Sequence, residues 1–161
     1  MKNRTSNKTR FKEKRSEGDL ANHKPWIRVH EISSKGISWR AFSKKTNRVH
    51  HMLSTLELRV FEYLDRHPKV HDIKEQYKLD PDLTYGIAHD LEINHPAYQG
   101  EQVIMTTDFF VILESSQLAI SVKPRNKMNN RTLEKFEIEQ AYWKKRGIKW
   151  IVLTEEEIKE L

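Results

Sequence analysis

The chain has 161 residues and a mass of 19.2 kDa, the length of one ordinary domain. It has no cysteine, which excludes disulfides, thiolate zinc sites and cysteine nucleophiles. No apolar run nears the ~20 residues that span a bilayer, and the N-terminus lacks an apolar signal core, so an intracellular soluble protein is expected. The formal net charge of +6 belongs mostly to one end: residues 1–24 carry eight basic and three acidic residues, whereas residues 25–161 hold 21 basic against 20 acidic.

Residues 1–24 hold Phe11 and Leu20 as their only large apolar residues besides Met1, too few to offset the entropy of ordering. The segment is predicted to be a disordered basic arm, either laid on DNA or simply solvated. From Pro25 the composition changes, and 25–161 is expected to form one domain. Residues 26–32 and 37–42 have β character around a turn at 33–36, which predicts a first hairpin. A second turn at 44–47 leads into 49–53. Ser54 and Glu57 fit a capping box, and Leu53, Leu56, Val60, Phe61 and Leu64 form an apolar stripe that stops before Pro68, so a helix is predicted there. Residues 70–100 show only short β-like pieces and are assigned little regular structure.

Two strands follow, 103–113 and 117–123, around a turn at 114–116. A helix is predicted over 131–146, closed by Gly147. Residues 148–153 form an apolar strand, and Thr154 with Glu157 caps a short helix. This order predicts an α/β protein with a mixed sheet flanked by helices. Only five glycines are present, with no G-x-G-x-x-G or P-loop pattern.

The chemistry-bearing residues sit around the second hairpin. A two-residue turn at Ser115-Ser116 sets Asp108 directly opposite Lys123, with Cβ atoms roughly 4.5–5.5 Å apart, and Ser121 shares their face. The bland alternative is a surface ion pair. Glu57 is a third candidate: it serves the helix cap, yet its spacing to Val60, Phe61 and Leu64 aims it along the buried stripe, where a carboxylate needs a partner or a cation. Two carboxylates and a lysine suit Mg²⁺-dependent phosphodiester hydrolysis, because Mg²⁺ takes hard oxygen ligands and keeps waters and phosphate oxygens. Lys123 suits orienting a water or stabilising developing charge. His50-His51 alternate across a strand and cannot chelate together. His67 and His71 flank Pro68, which breaks the helix that joint zinc binding would need. Arg125, Lys127 and Arg131, near the end of the hairpin, are candidates for holding a DNA backbone.

With those residues in place, the chain resembles the N-terminal catalytic domain of the TnsA family, endonuclease subunits of heteromeric cut-and-paste transposases. The resemblance is carried by Pro25-Trp26, Arg48-Val49-His50-His51, Leu53-Ser54-x-Leu56-Glu57-Leu58, Thr107-Asp108-Phe109, Val122-Lys123-Pro124, Arg131-Thr132-Leu133-Glu134-Lys135 and Tyr142-Trp143, in order along residues 25–161. It implies a restriction-endonuclease-like fold and Mg²⁺- or Mn²⁺-dependent cleavage of the 5′ strands at transposon ends in double-stranded DNA. The implied partners are a TnsB-like transposase subunit and a TnsC-like ATPase regulator.

By the same resemblance Glu57 and Asp108 match catalytic, metal-holding carboxylates and Lys123 a catalytic lysine. The Val122 carbonyl would lie at the metal, and Glu139 matches an auxiliary acidic position whose bland alternative is a solvated helix glutamate. Arg48 and His50 join Arg125, Lys127 and Arg131 as DNA-binding candidates. Where the family pattern has glutamine this chain has Ser121, a weaker ligand or one acting through water. The family's C-terminal, partner-binding half is expected to be absent, and the setting is bacterial, cytoplasmic and nucleoid-associated. Two other functions remain open: a catalytically weak DNA-binding and assembly module, and a stand-alone restriction or repair nuclease of the same superfamily.

Overall fold

A computed structural model describes residues 5–33 and 36–161. In chain order it contains α1 (Asn7–Lys12), the hairpin strands β1 (Trp39–Ser43) and β2 (Arg48–Met52), α2 (Thr55–Arg66), β3 (Val70–Lys78), α3 (Pro81–Asp90) and a small β4 (Ala97–Tyr98)–β5 (Glu101–Gln102) hairpin. These are followed by β6 (Thr106–Leu113), β7 (Gln117–Val122), α4 (Asn130–Lys145), β8 (Lys149–Leu153) and α5 (Glu155–Ile158). β3, β6, β7 and β8 form a four-stranded sheet in that order. The first three strands are antiparallel, and β8 runs parallel to β7.

Alternation along β6 and β7 gives the sheet two apolar faces. Phe109, Val111, Ile120 and Val122 pack with Val60, Phe61 and Leu64 of α2 and Ile158 of α5. Phe110 and Ala119 pack on the other side with Ile87 and Ala88 of α3 and Ile138, Tyr142 and Trp143 of α4. A mixed sheet with helices on both faces is the α/β, restriction-endonuclease-like arrangement expected. The helix starts follow from local chemistry. Ser54 accepts from the Glu57 N–H, Asp80 from the Asp82 and Leu83 N–H groups, Asn129 from Thr132 N–H and Thr154 from Glu156 N–H. Gly147 takes a φ of +67° just past α4, a conformation that costs glycine little.

Four expectations change. Residues 5–24 are not a disordered arm. They include α1, and Arg10, Arg15 and His23 are buried. Arg15 reaches both oxygens of Glu31 at 2.7 and 2.8 Å and the Trp26 carbonyl at 3.0 Å. Phe11 meets Trp26 edge-on at 5.0 Å. The acidic partner lies outside the basic segment, so local composition hides it. Residues 1–4 lie outside those described.

Second, 26–32 is not a strand but ends in a 3-10 turn at Val29–Glu31. The first hairpin is β1–β2, pairing Trp39 with Met52 through Ser43 with Arg48, around the turn at 44–47. Of the turn expected at 33–36, Ser34 and Lys35 lie outside the described residues. Third, 70–100 contains the long strand β3 and the helix α3. β3 lacks alternation because it is buried on both faces, with Asp72, Lys74, Glu75 and Gln76 all inside.

Fourth, the β6–β7 register is two residues from the one expected. Leu113 N–H donates to the Ser116 carbonyl, leaving Glu114 and Ser115 as the turn residues, and Phe109 pairs with Ile120. Asp108 therefore falls opposite Ser121, with Lys123 diagonal to it. A shift of two preserves the face.

Candidate active site

The site forms where the N-terminus of α2 meets the ends of β6 and β7. Glu57 is 7% exposed. Its carboxylate accepts from the Leu53 N–H at 2.9 Å and the Ser54 hydroxyl at 3.2 Å, so the cap that starts α2 also fixes this side chain. Asp108 accepts from the Val122 N–H at 2.7 Å. One amide nitrogen joins the two acids: Gln76 Nε2 lies 3.3 Å from Glu57 Oε2 and 3.5 Å from Asp108 Oδ1. Glu57, Asp108, Ser121, Val122, Lys123 and Glu139 line one cavity of about 310 Å³.

Both acids are pushed toward the protonated form. For Glu57 burial is the main cause, and the neighbouring Asp108 charge adds to it. Burial also raises Asp108, against the Val122 N–H, the Lys123 charge and Gln76. Two buried carboxylates that hinder each other's ionisation are stabilised by an added cation. Among the described residues no three His, Cys, Asp or Glu side chains are grouped to hold a metal by themselves. The donor set is two hard carboxylates without imidazole or thiolate, which fits an ion such as Mg²⁺ that completes its shell from water, carbonyl and phosphate oxygens.

Residues 67–155 match the TnsA-like endonuclease N-terminal family. This chain belongs to that family. It is 44% identical over 153 residues to the transposon Tn7 transposition protein TnsA of Escherichia coli, an alignment covering 92% of this chain and 56% of that protein. The chain thus spans about half the length of this relative. The family match takes in Gln76, Asp108, Ser121, Lys123 and Glu139, while Glu57 precedes it.

The remaining candidates of this TnsA-like chain divide sharply. Glu139 is not a solvated helix residue: it is 4% exposed, and its Oε1 accepts from the Thr107 hydroxyl at 2.6 Å, the Ser121 hydroxyl, and the Trp150 indole at 3.2 Å. Burial pushes its carboxyl up to about 7, and the Asp108 charge acts in the same direction. The i, i+3, i+4 spacing of Glu139 with buried Tyr142 and Trp143 was the available signal. Ser121, 2% exposed, braces Glu139 and accepts from Trp150 at 3.0 Å, so its hydroxyl is already engaged.

Arg48 and His50 are not at a DNA surface. Arg48 donates to both oxygens of buried Glu75 at 2.9 and 2.7 Å and to the Ile73 carbonyl. His50 is fully buried between Glu75, at 2.8 Å, and Thr46, at 2.7 Å. Burial works to raise Glu75, but His50 and Arg48 outweigh it and hold that carboxyl well below the usual range. A buried acid on β3 claims both side chains, and its strand was not legible in the sequence. Arg125 and Lys127 are exposed on a 3-10 turn after β7. Arg125 meets Glu155 and Glu156, and Arg131 pairs with Glu134 at 2.7 Å. Gln76 and Lys135, which also lines the cavity, went unanticipated. No helix among the described residues is long and apolar enough to cross a membrane.

Proposed function

We propose that this chain is the catalytic domain of a divalent-metal-dependent DNA endonuclease that cuts the 5′ strands at transposon ends, working with a TnsB-like transposase subunit and a TnsC-like ATPase. The convergence of Glu57 and Asp108 on one amide nitrogen, in a cavity that Lys123 also lines, carries the proposal. Glu57, Asp108 and the Val122 carbonyl are the groups assigned to hold Mg²⁺ or Mn²⁺. When bound, the ion supplies Lewis-acid polarisation of a phosphodiester and neutralises its charge.

The chain's own residues do the rest. Asp108 is held in place by the Val122 N–H, so its second oxygen keeps a fixed direction. Lys123 presents an ammonium to the scissile phosphate, where negative charge grows as the bond breaks. Arg125, Lys127 and Arg131 hold the flanking backbone without reading bases. Glu139 supports the cavity wall behind Asp108.

The test is cleavage of a supercoiled plasmid bearing transposon ends, with the partner transposase subunit and Mg²⁺ or Mn²⁺. Asp108→Ala and Lys123→Ala are expected to lower 5′-strand cutting by about 10²-fold or more while the partner's 3′ cuts persist. Equal cutting by all three proteins would remove this site from the reaction. A catalytically weak DNA-binding module is favoured by one observation, the engagement of the Ser121 hydroxyl with Glu139. Undiminished DNA binding without 5′ cutting in the wild type would select it.

A further inference from the structure

Gln76 has no part in the chemistry assigned above, yet it contacts both site carboxylates. It is 1% exposed and adopts a φ of +46° in the middle of β3. A non-glycine residue stays in that region only where its surroundings over-determine it, and such residues gather at functional sites. The flanking residues hold ordinary register, Glu75 with Phe109 and Tyr77 with Thr107. Gln76 therefore sits across from Asp108, which in turn sits across from Ser121.

The constraint comes from the N-terminal segment. The Gln76 carbonyl accepts from the Trp26 N–H at 3.0 Å and the Ser16 hydroxyl at 3.4 Å, and the same hydroxyl accepts from the Lys78 N–H at 2.8 Å. Trp26 is itself buried. Backbone contacts on one side of β3 thus fix the residue whose side chain reaches both acids. An amide N–H carries partial positive charge. Placed between two carboxylates, it draws them toward one point without the full charge of an ion.

We propose that Gln76 is a positioning residue: its amide keeps Glu57 and Asp108 converged before a divalent ion arrives, and the N-terminal segment sets its reach by fixing the β3 backbone at this residue. The inference rests on the endonuclease reading for the identity of the ion, whereas the contacts between Gln76 and the two acids are made by the chain's own residues. Glu57 and Asp108 would hold the cation, whose charge would take over the balancing role of the Gln76 amide, and no covalent bond would change.

The test uses the whole chain, metal-free, with Mn²⁺ as the probe. Asparagine tolerates left-handed backbone and keeps the amide but is one methylene shorter, so Gln76→Asn is expected to fold with a melting temperature within a few degrees of wild type. Its Mn²⁺ dissociation constant by calorimetry should rise about tenfold, the usual size of an outer-shell effect. Gln76→Glu keeps the length but replaces the amide with a third carboxyl group. It should melt lower without metal and recover more on Mn²⁺ addition than wild type does, a response that a purely structural role would not give.

In the metal-free wild type, the Gln76 side-chain amide signals in a ¹H–¹⁵N spectrum should move in both Glu57→Gln and Asp108→Asn. Unchanged Mn²⁺ affinity in folded Gln76→Asn overturns the proposal. Failure of wild type to bind Mn²⁺ removes the endonuclease reading instead. In that case, or if Gln76→Asn does not fold, the amide signals decide: signals unmoved by either carboxylate change overturn the inference, and signals moved by both uphold it.

Discussion

His23 shows how one side chain ties the basic N-terminal segment to the sheet. It is 3% exposed, its ring stacks near Tyr77 at 6.5 Å, and its Nε2 lies 3.3 Å from the Glu75 carbonyl. Its Nδ1 is buried with no hydrogen-bond partner among the described residues, so protonation there would bury an unanswered N–H. Burial accordingly lowers its pKa from 6.5 to about 4, although the Glu75 charge opposes the shift. Between those values the unfolded chain binds a proton that the folded chain does not, so stability is fully present above pH 6.5 and declines as pH falls toward 4. The change is on the order of 3 kcal/mol across that window. Urea unfolding at stepped pH should show it, and His23→Gln should flatten the curve between pH 6.5 and 5. An equally steep curve in the variant would show that other groups carry the dependence.

Among the elements, those with a local signature were readable in the sequence and those defined by distant partners were not. The apolar stripe and capping serine of α2, the alternation of β6 and β7, and the Gly147 stop after α4 depend on residues within a few positions, and each formed as expected. β3 and the N-terminal segment owe their structure to contacts such as Lys78 with Ser16, 62 residues apart, and Arg48 with Glu75, 27 apart. The same division runs through the site. Asp108, Lys123 and Ser121 share a face that hairpin parity reveals, whereas Gln76 lies on a strand that polar burial disguised. A buried ion pair also hides its own importance. Arg15 and Glu31 have side chains 2% and 3% exposed, and burial opposes the Glu31 charge, but Arg15, Thr5 and the Arg28 N–H hold its carboxyl at about 2. Glu31→Ala removes the carboxylate that meets two of the Arg15 nitrogens and leaves Glu13, at 2.7 Å, on the third, so it should cost about 3 kcal/mol. Hydrogen exchange should then show the Trp26 and Lys78 amides losing protection before those of β6. Simultaneous loss would mean that the segment and the sheet open as one unit.

For the whole molecule, the sheet order leaves β3 as an outer strand, and an outer strand offers unpaired backbone groups to any passing chain. Here residues 16–26 answer them: the Ser16 hydroxyl takes the Lys78 N–H, His23 meets the Glu75 carbonyl, and the Trp26 N–H donates to the Gln76 carbonyl at 3.0 Å. Composition alone would suggest trimming the first 24 residues as dispensable. A protein begun at Pro25 should instead sediment as higher-order species where the intact chain does not, at equal concentration and salt; matching profiles would show that the rim needs no such cover. The charged overhang that looks like a handle for nucleic acid is, on this geometry, a hem stitched along the sheet, and shortening it frays the border next to the paired acids.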